Sequence, residues 1–277
     1  MKIIEYPDGG KYVINDLNET SLTYRVNSYE DLFLLKSIKD ANPNLKEVII
    51  PCMFHQQHDR RFNSNESFEL KLVCEFINSL NFKKVKVFHP HSDVTPALLN
   101  NCEVIDNETF IRNVLQSICN TQSLRSDKTW NTFDDLILMS SDAGGFKPLI
   151  KLCKQINWQG ETYSASKARD KDKLIQIVDR TDFQGKDILI IDDICVYGGT
   201  FKGLATMLKQ KNCGKLYLAV SHMTVQNLGK DLVTNYFDKV FTTNSKFNSY
   251  IYKTMDKNHG LLDTLMQPKN LQIINLF

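Results

Sequence analysis

Residues 187–200 read DILIIDDICVYGGT. An unbroken apolar run, Ile188–Ile191, stops at two adjacent aspartates, and a turn with two glycines closes on Thr200. A short apolar run bounded by turn residues reads as a buried strand. Behind it, FKGLATMLKQKN (201–212) has helical spacing, and KLYLAVSH (215–222) is a second apolar strand. Strand, helix, strand in this order builds a parallel sheet covered by helices, because a parallel neighbour is reached only through a long crossover.

The same rhythm recurs along the chain. KEVIIPC (46–52), KKVKVFHPH (83–91) and DLILMSS (135–141) read as strands, and ESFELKLVCEFINSL (66–80) as a helix. Pro148 falls in the first turn of another helix, Gly214 is placed to cap helix 201–212, and LQIINLF is one more strand at the end. A break is expected near 104–112, where VIDNETFIRN leads into a new helix. That divides the chain into two α/β halves, 1–108 and 109–277, each a mainly parallel sheet flanked by helices. The last strand is free to return to the first half.

Charge and cysteine usage narrow the class. With 34 basic and 32 acidic side chains the net charge is +2, which calls for neither a nucleic acid nor an anionic membrane as partner. The 7 cysteines are odd in number, widely spaced and contain no CxxC, which argues against a disulfide framework or structural zinc and for a reducing compartment. The first twenty residues hold no apolar h-region, and no apolar run is long enough to span a bilayer. A soluble, cytoplasmic protein is expected.

In open α/β sheets ligands bind beyond the carboxyl ends of the strands, where Asp192 and Asp193 fall. Gly198 and Gly199 let backbone N–H groups turn toward an oxyanion, Thr200 adds a hydroxyl, and the following helix adds the positive end of its dipole. A phosphate in the loop and a polyol or metal at the carboxylates fit this arrangement, and ribose 5-phosphate satisfies both. The chain has neither GxxxxGK[ST] nor GxGxxG, so nucleotide chemistry of those kinds does not compete.

The thirteen residues 188–200 resemble the phosphoribosyl-diphosphate (PRPP) loop of type I phosphoribosyltransferases and PRPP synthetases. The resemblance implies a fold of two tandem phosphoribosyltransferase-like domains. It implies that Asp192 and Asp193 hold ribose hydroxyls and that Val196, Tyr197, Gly198, Gly199 and Thr200 form the 5-phosphate loop. Val196 stands where the family usually has a third acid.

Four further segments point to the synthetase branch. SSDAGGFKP (140–148) resembles the synthetases' SPDAGG motif and makes Asp142 a magnesium ligand. IIPCMFHQQHDRR (49–61) resembles the stretch ending ARQDR, where ATP is held: Asp59 and Arg60 match, and Gln57 and His58 replace the arginine–glutamine pair. KVKVFHPHS (84–92) resembles the strand ending DLHS and puts His91 on the histidine that contacts metal and ATP, with His89 in place of the aspartate. Zinc shared between these and His55 and His58 is not expected, because catalytic zinc needs three ligands fixed in geometry and the positions lie on separate segments. YSASKARDKDKLIQIVD (163–179) resembles the catalytic flexible loop, with Lys167 and Arg169 as its cations; it is expected to be a mobile loop.

YPDGGKYVIND (6–16) resembles FSDGE, which reaches a neighbouring subunit's adenine. Tyr6 and Asp8 match and Gly10 replaces a glutamate, so the resemblance implies a homo-oligomer. The family's usual first strand and helix have no counterpart ahead of this motif. From about residue 5 to 245 the motifs keep the family's order. They imply transfer of the diphosphoryl group of ATP to ribose 5-phosphate, with Mg2+ bridging the phosphates. The alternatives are a type I phosphoribosyltransferase and a non-catalytic, synthetase-like regulatory subunit.

Overall fold

The structure is a computed structural model and describes residues 2–14, 18–121, 135–170, 173–224, 233–246 and 270–277. The chain divides into two compact units, residues 1–106 with Phe277 and residues 107–276.

In the first unit, β1 (Lys2–Glu5) and β2 (Lys11–Ile14) form an antiparallel hairpin. The strands β3 (Ser21–Thr23), β4 (Glu47–Ile50), β5 (Lys84–Phe88) and β6 (Cys102–Ile105) make a four-stranded sheet in that order, parallel throughout. Helix α1 (Tyr29–Ala41) starts at Ser28, whose hydroxyl accepts from the Asp31 N–H at 3.1 Å, satisfying one orphan donor of the first turn. Helix α2 (Glu69–Ser79) buries Leu70, Val73, Cys74 and Ile77, the i, i+3, i+4, i+7 stripe of a helix packed on a sheet. α3 (Val94–Leu98) is a single turn.

The second unit opens with α4 (Glu108–Thr121). Its sheet has six parallel strands, labelled in chain order β7 (Leu136–Ser140), β8 (Thr162–Ser164), β11 (Asp187–Cys195), β12 (Leu216–Met223), β13 (Lys239–Thr243) and β14 (Leu271–Ile274). The spatial order is β14-β13-β12-β11-β7-β8. The chain therefore lays β8 on one side of β7, crosses to the other side for β11, and continues outward. The reversal between β7 and β11 is a topological switch point, where the loops leaving two adjacent strands diverge and open a crevice. An antiparallel hairpin, β9 (Ser166–Asp170) with β10 (Lys173–Ile177), stands between β8 and β11. Helices α5 (Phe146–Gln155) and α6 (Gly199–Gln210) make the crossovers. Every residue of β7 and β12 is buried, as strands covered on both faces require.

Four expectations change. The stretch 163–179 is not a loop but mostly strand; Leu174, Ile175 and Ile177 supply the residues a pleated ribbon favours. β11 runs on to Cys195, because Ile194 and Cys195 stay in register with His222 and Met223 of β12. The last strand does not return to the first unit: β14 pairs in parallel with β13, and only Phe277 groups with the first unit. Gly214 does not cap α6. The left-handed residue there is Asn212, at φ 56°.

Gly214 serves a different purpose. A Cβ on it would lie 2.3 Å from the Gly185 carbonyl oxygen, against backbone that cannot step aside. Gly214→Ala is expected to lose about 1–3 kcal/mol of stability, the usual cost of overpacking. Urea unfolding measures it, and an unchanged midpoint would show that the 185–187 and 214–215 segments can separate.

Candidate functional site

In the second unit the site is built where β7 ends beside β11. The apolar interior of β11, Ile188–Ile191, delivers Asp192 and Asp193 to the carboxyl edge of the sheet. Just past β7, the buried Ser141 donates its hydroxyl to Asp192 Oδ2, and the Asp193 N–H donates to Asp192 Oδ1 at 2.9 Å. Burial of this carboxyl group, followed by the like charge of Asp193, pushes the Asp192 pKa up to about 7; the two hydrogen bonds to its charged form offset this only in part.

Asp142 caps the adjoining turn. Its Oδ1 accepts from the Gly145 N–H at 3.1 Å, and its carbonyl accepts from the hydroxyls of Ser140 at 2.9 Å and Ser164 at 3.2 Å. The three serines were not singled out in the sequence. Each is an ordinary strand-end residue until the register of β7, β8 and β11 brings it to a carboxylate or to this turn.

Val196, Tyr197 and Gly198 form the loop into α6. Gly198 sits at φ 74°, a left-handed conformation that costs a side-chain-bearing residue about 1–2 kcal/mol. A Cβ on Gly199 would meet nothing within 4 Å, so packing does not demand glycine there, and open space faces the loop. The ladder of α6 begins with Lys202 N–H to Gly198 O at 3.0 Å. The N–H groups of Gly199, Thr200 and Phe201 precede it and have no acceptor within the helix. Val196 contributes its carbonyl, which accepts from the Thr224 hydroxyl at 2.9 Å. The arrangement offers carboxylates at one end and backbone donors at the other.

Lys167 and Arg169 occupy alternate positions of β9, opposite Gln176 and Leu174. The base of this hairpin is tied down. Arg180 pairs with Glu161 at 2.5 Å and stacks over Tyr163 and Phe183, with 5.3 and 5.2 Å to the ring centroids. Lys186 also pairs with Glu161, and Lys211 Nζ donates to the carbonyls of Val178 at 2.6 Å and Arg180 at 2.8 Å.

In the first unit the loop after β4 carries the other candidates. Asp59 is buried, and both its oxygens accept from Arg60, at 2.8 and 3.2 Å. That pairing, ahead of the opposing effect of burial, holds the carboxyl below the usual carboxylate range. Gln57 and His58 are exposed. Gln56, absent from the sequence expectations, is buried; its Oε1 accepts from the His91 N–H at 3.1 Å and so ties the loop after β5 to the loop after β4. His89 sits at φ 38°. Tyr6 stacks on Tyr12 at 5.6 Å between centroids, at the tip of the β1–β2 hairpin, and Asp8 Oδ1 accepts from the Gly10 N–H at 2.9 Å.

Among the described residues, no three His, Cys, Asp or Glu side chains converge as a metal cage. None of the described helices is long and apolar enough to cross a membrane.

Comparisons with known proteins agree on one group. No protein-family model matches the chain. It is 22% identical over 218 residues to a ribose-phosphate pyrophosphokinase of Sulfurisphaera tokodaii, covering 78% of this chain and 70% of that protein. It is 20% identical over 256 residues to a ribose-phosphate pyrophosphokinase of Thermoplasma volcanium, covering 88% and 83%. Among solved structures, phosphoribosylpyrophosphate synthetase from Mycobacterium smegmatis superposes with a TM-score of 0.71 at 15% identity, covering 99% of this chain and 85% of that one. That match establishes the shared fold.

The Asp192 carboxyl binds its proton more tightly in the folded chain than in the unfolded one. Its ionisation therefore destabilises the fold as pH rises toward about 7. Asp192→Asn is expected to remove this slope and to melt higher than the parent at pH 8. A parent-like loss of stability between pH 5 and 8 in the variant would place the proton elsewhere.

Proposed function

We propose that this chain, a distant relative of the ribose-phosphate pyrophosphokinases, transfers the diphosphoryl group of ATP to O1 of ribose 5-phosphate. The O1 oxygen forms a bond to the β-phosphorus, the bond between the α–β bridging oxygen and that phosphorus breaks, and the O1 proton goes to solvent. PRPP and AMP are the products.

The observation that carries this reading is the switch point between β7 and β11. Two carboxylates there stand ahead of a left-handed glycine turn and a helix N-terminus. Asp192 and Asp193 hold the ribose hydroxyls, and the loop Val196–Thr200 with the first turn of α6 holds the 5-phosphate. Ser141 positions Asp192. The transfer spreads negative charge over several oxygens, and Lys167 and Arg169 on β9 answer it. Asp59, Arg60, Gln57, His58 and His91 serve ATP, as do Tyr6 and Asp8, the last two from a neighbouring copy in a homo-oligomer.

Mg2+ suits the chemistry of the donors. Asp142 offers hard carboxylate oxygen, the crowded negative charge at Asp192 and Asp193 favours a nearby cation, and His91 offers a nitrogen in the first unit. When bound, the ion screens the phosphates, and it needs few protein ligands because it keeps its waters. A phosphoribosyltransferase has no need of the first four-stranded unit, and the similarity to the pyrophosphokinases runs through most of the chain. The odd, widely spaced cysteines favour a cytoplasmic location.

Incubation with Mg2+, ATP and ribose 5-phosphate, followed by phosphorus NMR, is expected to yield PRPP and AMP together. A folded protein that gives neither would sink the reading. Lys167→Ala is expected to lower kcat by about 10²-fold, the scale of removing one charge-stabilising donor. Its affinity for ribose 5-phosphate, measured by calorimetry, should be unchanged.

A further inference from the structure

The β9–β10 hairpin leaves the six-stranded sheet by one leg and rejoins it by another, and the two legs are held differently. The entry leg extends the sheet. β8 pairs with β7, and the buried Ala165 continues the ladder by donating its N–H to the Ser140 carbonyl at 3.1 Å. The exit leg, residues 178–186, belongs to no strand. Backbone groups that leave a ladder need other partners wherever water is shut out.

Lys211, the residue that ends α6, supplies them. Its Nζ donates to the carbonyls of Val178 at 2.6 Å and Arg180 at 2.8 Å, and its own carbonyl accepts from the Phe183 N–H at 2.8 Å. An ammonium on a long stem suits this task, because its three donors can serve two carbonyls at once. Asn212 adds to the grip: its side chain donates to Asp182 Oδ1 at 3.0 Å, and its carbonyl accepts from the Gly185 N–H at 2.8 Å. Val178 is buried in the same core cluster as Leu204 and Leu208 of α6, which fixes the leg on its apolar side.

The path from this anchor to the candidate cations is short. Val178 follows Ile177, the last residue of β10. Ile177 pairs with Ser166, and Gln176 pairs with Lys167. β9 and β10 form a sheet of two strands, so a shift of the exit leg moves β10 and carries β9 with it. The opposite end of α6 is the turn that takes the 5-phosphate. The helix has 12 residues, about 18 Å of axis, and its buried Phe201, Leu204, Ala205 and Leu208 seat it firmly. One rigid element therefore meets the sugar phosphate with its first turn and the hairpin with its last residue.

We propose that Lys211 is a positioning residue for diphosphoryl transfer: it fixes β10, and through the ladder the strand carrying Lys167 and Arg169, relative to the phosphate at the other end of α6. This rests on the reading of the chain as a ribose-phosphate pyrophosphokinase. Lys211 acts on the reaction only through the hairpin.

The test is a double-mutant cycle on the full chain. Lys211→Met keeps the stem and removes the donors. It is expected to lower kcat by about 10- to 100-fold, the scale of a misplacement of ~1 Å. Affinity for ribose 5-phosphate, by calorimetry, is expected to stay as in the parent. Lys211→Arg, which keeps the charge and the donors, recovers most of kcat. In a Lys167→Ala background Lys211→Met costs markedly less, since one of the groups it positions is gone. Amide hydrogen exchange quickens in β9 and β10 and not in β11. Should Lys211→Met fail to fold, Lys211→Gln, which keeps one donor group, takes its place. Equal losses in the two backgrounds, an unchanged kcat, or ribose 5-phosphate binding that weakens in step with kcat would overturn this proposal and leave the pyrophosphokinase reading standing. A folded parent that makes no PRPP would overturn both.

Discussion

β11 is paired on both edges, to β7 through Asp187–Ile191 and to β12 through Ile188–Cys195. A parallel strand clamped this way cannot slip by one residue without turning every side chain to the opposite face. Ile188 and Ile190 sit in the same core cluster as Leu204, Leu208 and Phe201 of α6, so a slip would also expose that core. Burial of these side chains is therefore what holds Asp192 at the end of the sheet and sets where the turn into α6 begins. The position of the loop is fixed because the strand before it has no freedom.

The cost of that placement falls on Asp192. Its carboxyl is packed in, faces a second aspartate, and has Ser141 and one backbone N–H as compensation. A structural residue would not be kept in such a state, since asparagine would fill the same space without a charge to bury. Two acids held together against their own repulsion make sense where a polyol or cation completes the site. The same logic distinguishes them from Asp59, whose charge is already answered by Arg60. Asp59 has its charge met by a guanidinium, whereas Asp192 has a second carboxylate for its neighbour.

How much of this was legible follows from range. β11, α6 and β12 show in the sequence because each is a local pattern: an apolar run, a helical stripe, an apolar run. The β9–β10 hairpin did not, since its charged first strand hides the alternation that Leu174–Ile177 carry in the second. Gly214 looked like a helix cap because glycine after a helix usually is one; its real constraint, the Gly185 carbonyl, lies 29 positions away. Ser141, Gln56 and Lys211 belong to the same class. Each acquires a role only when the fold brings it beside a residue far off in the chain: Ser141 to Asp192, Gln56 to His91, Lys211 to both Val178 and Arg180.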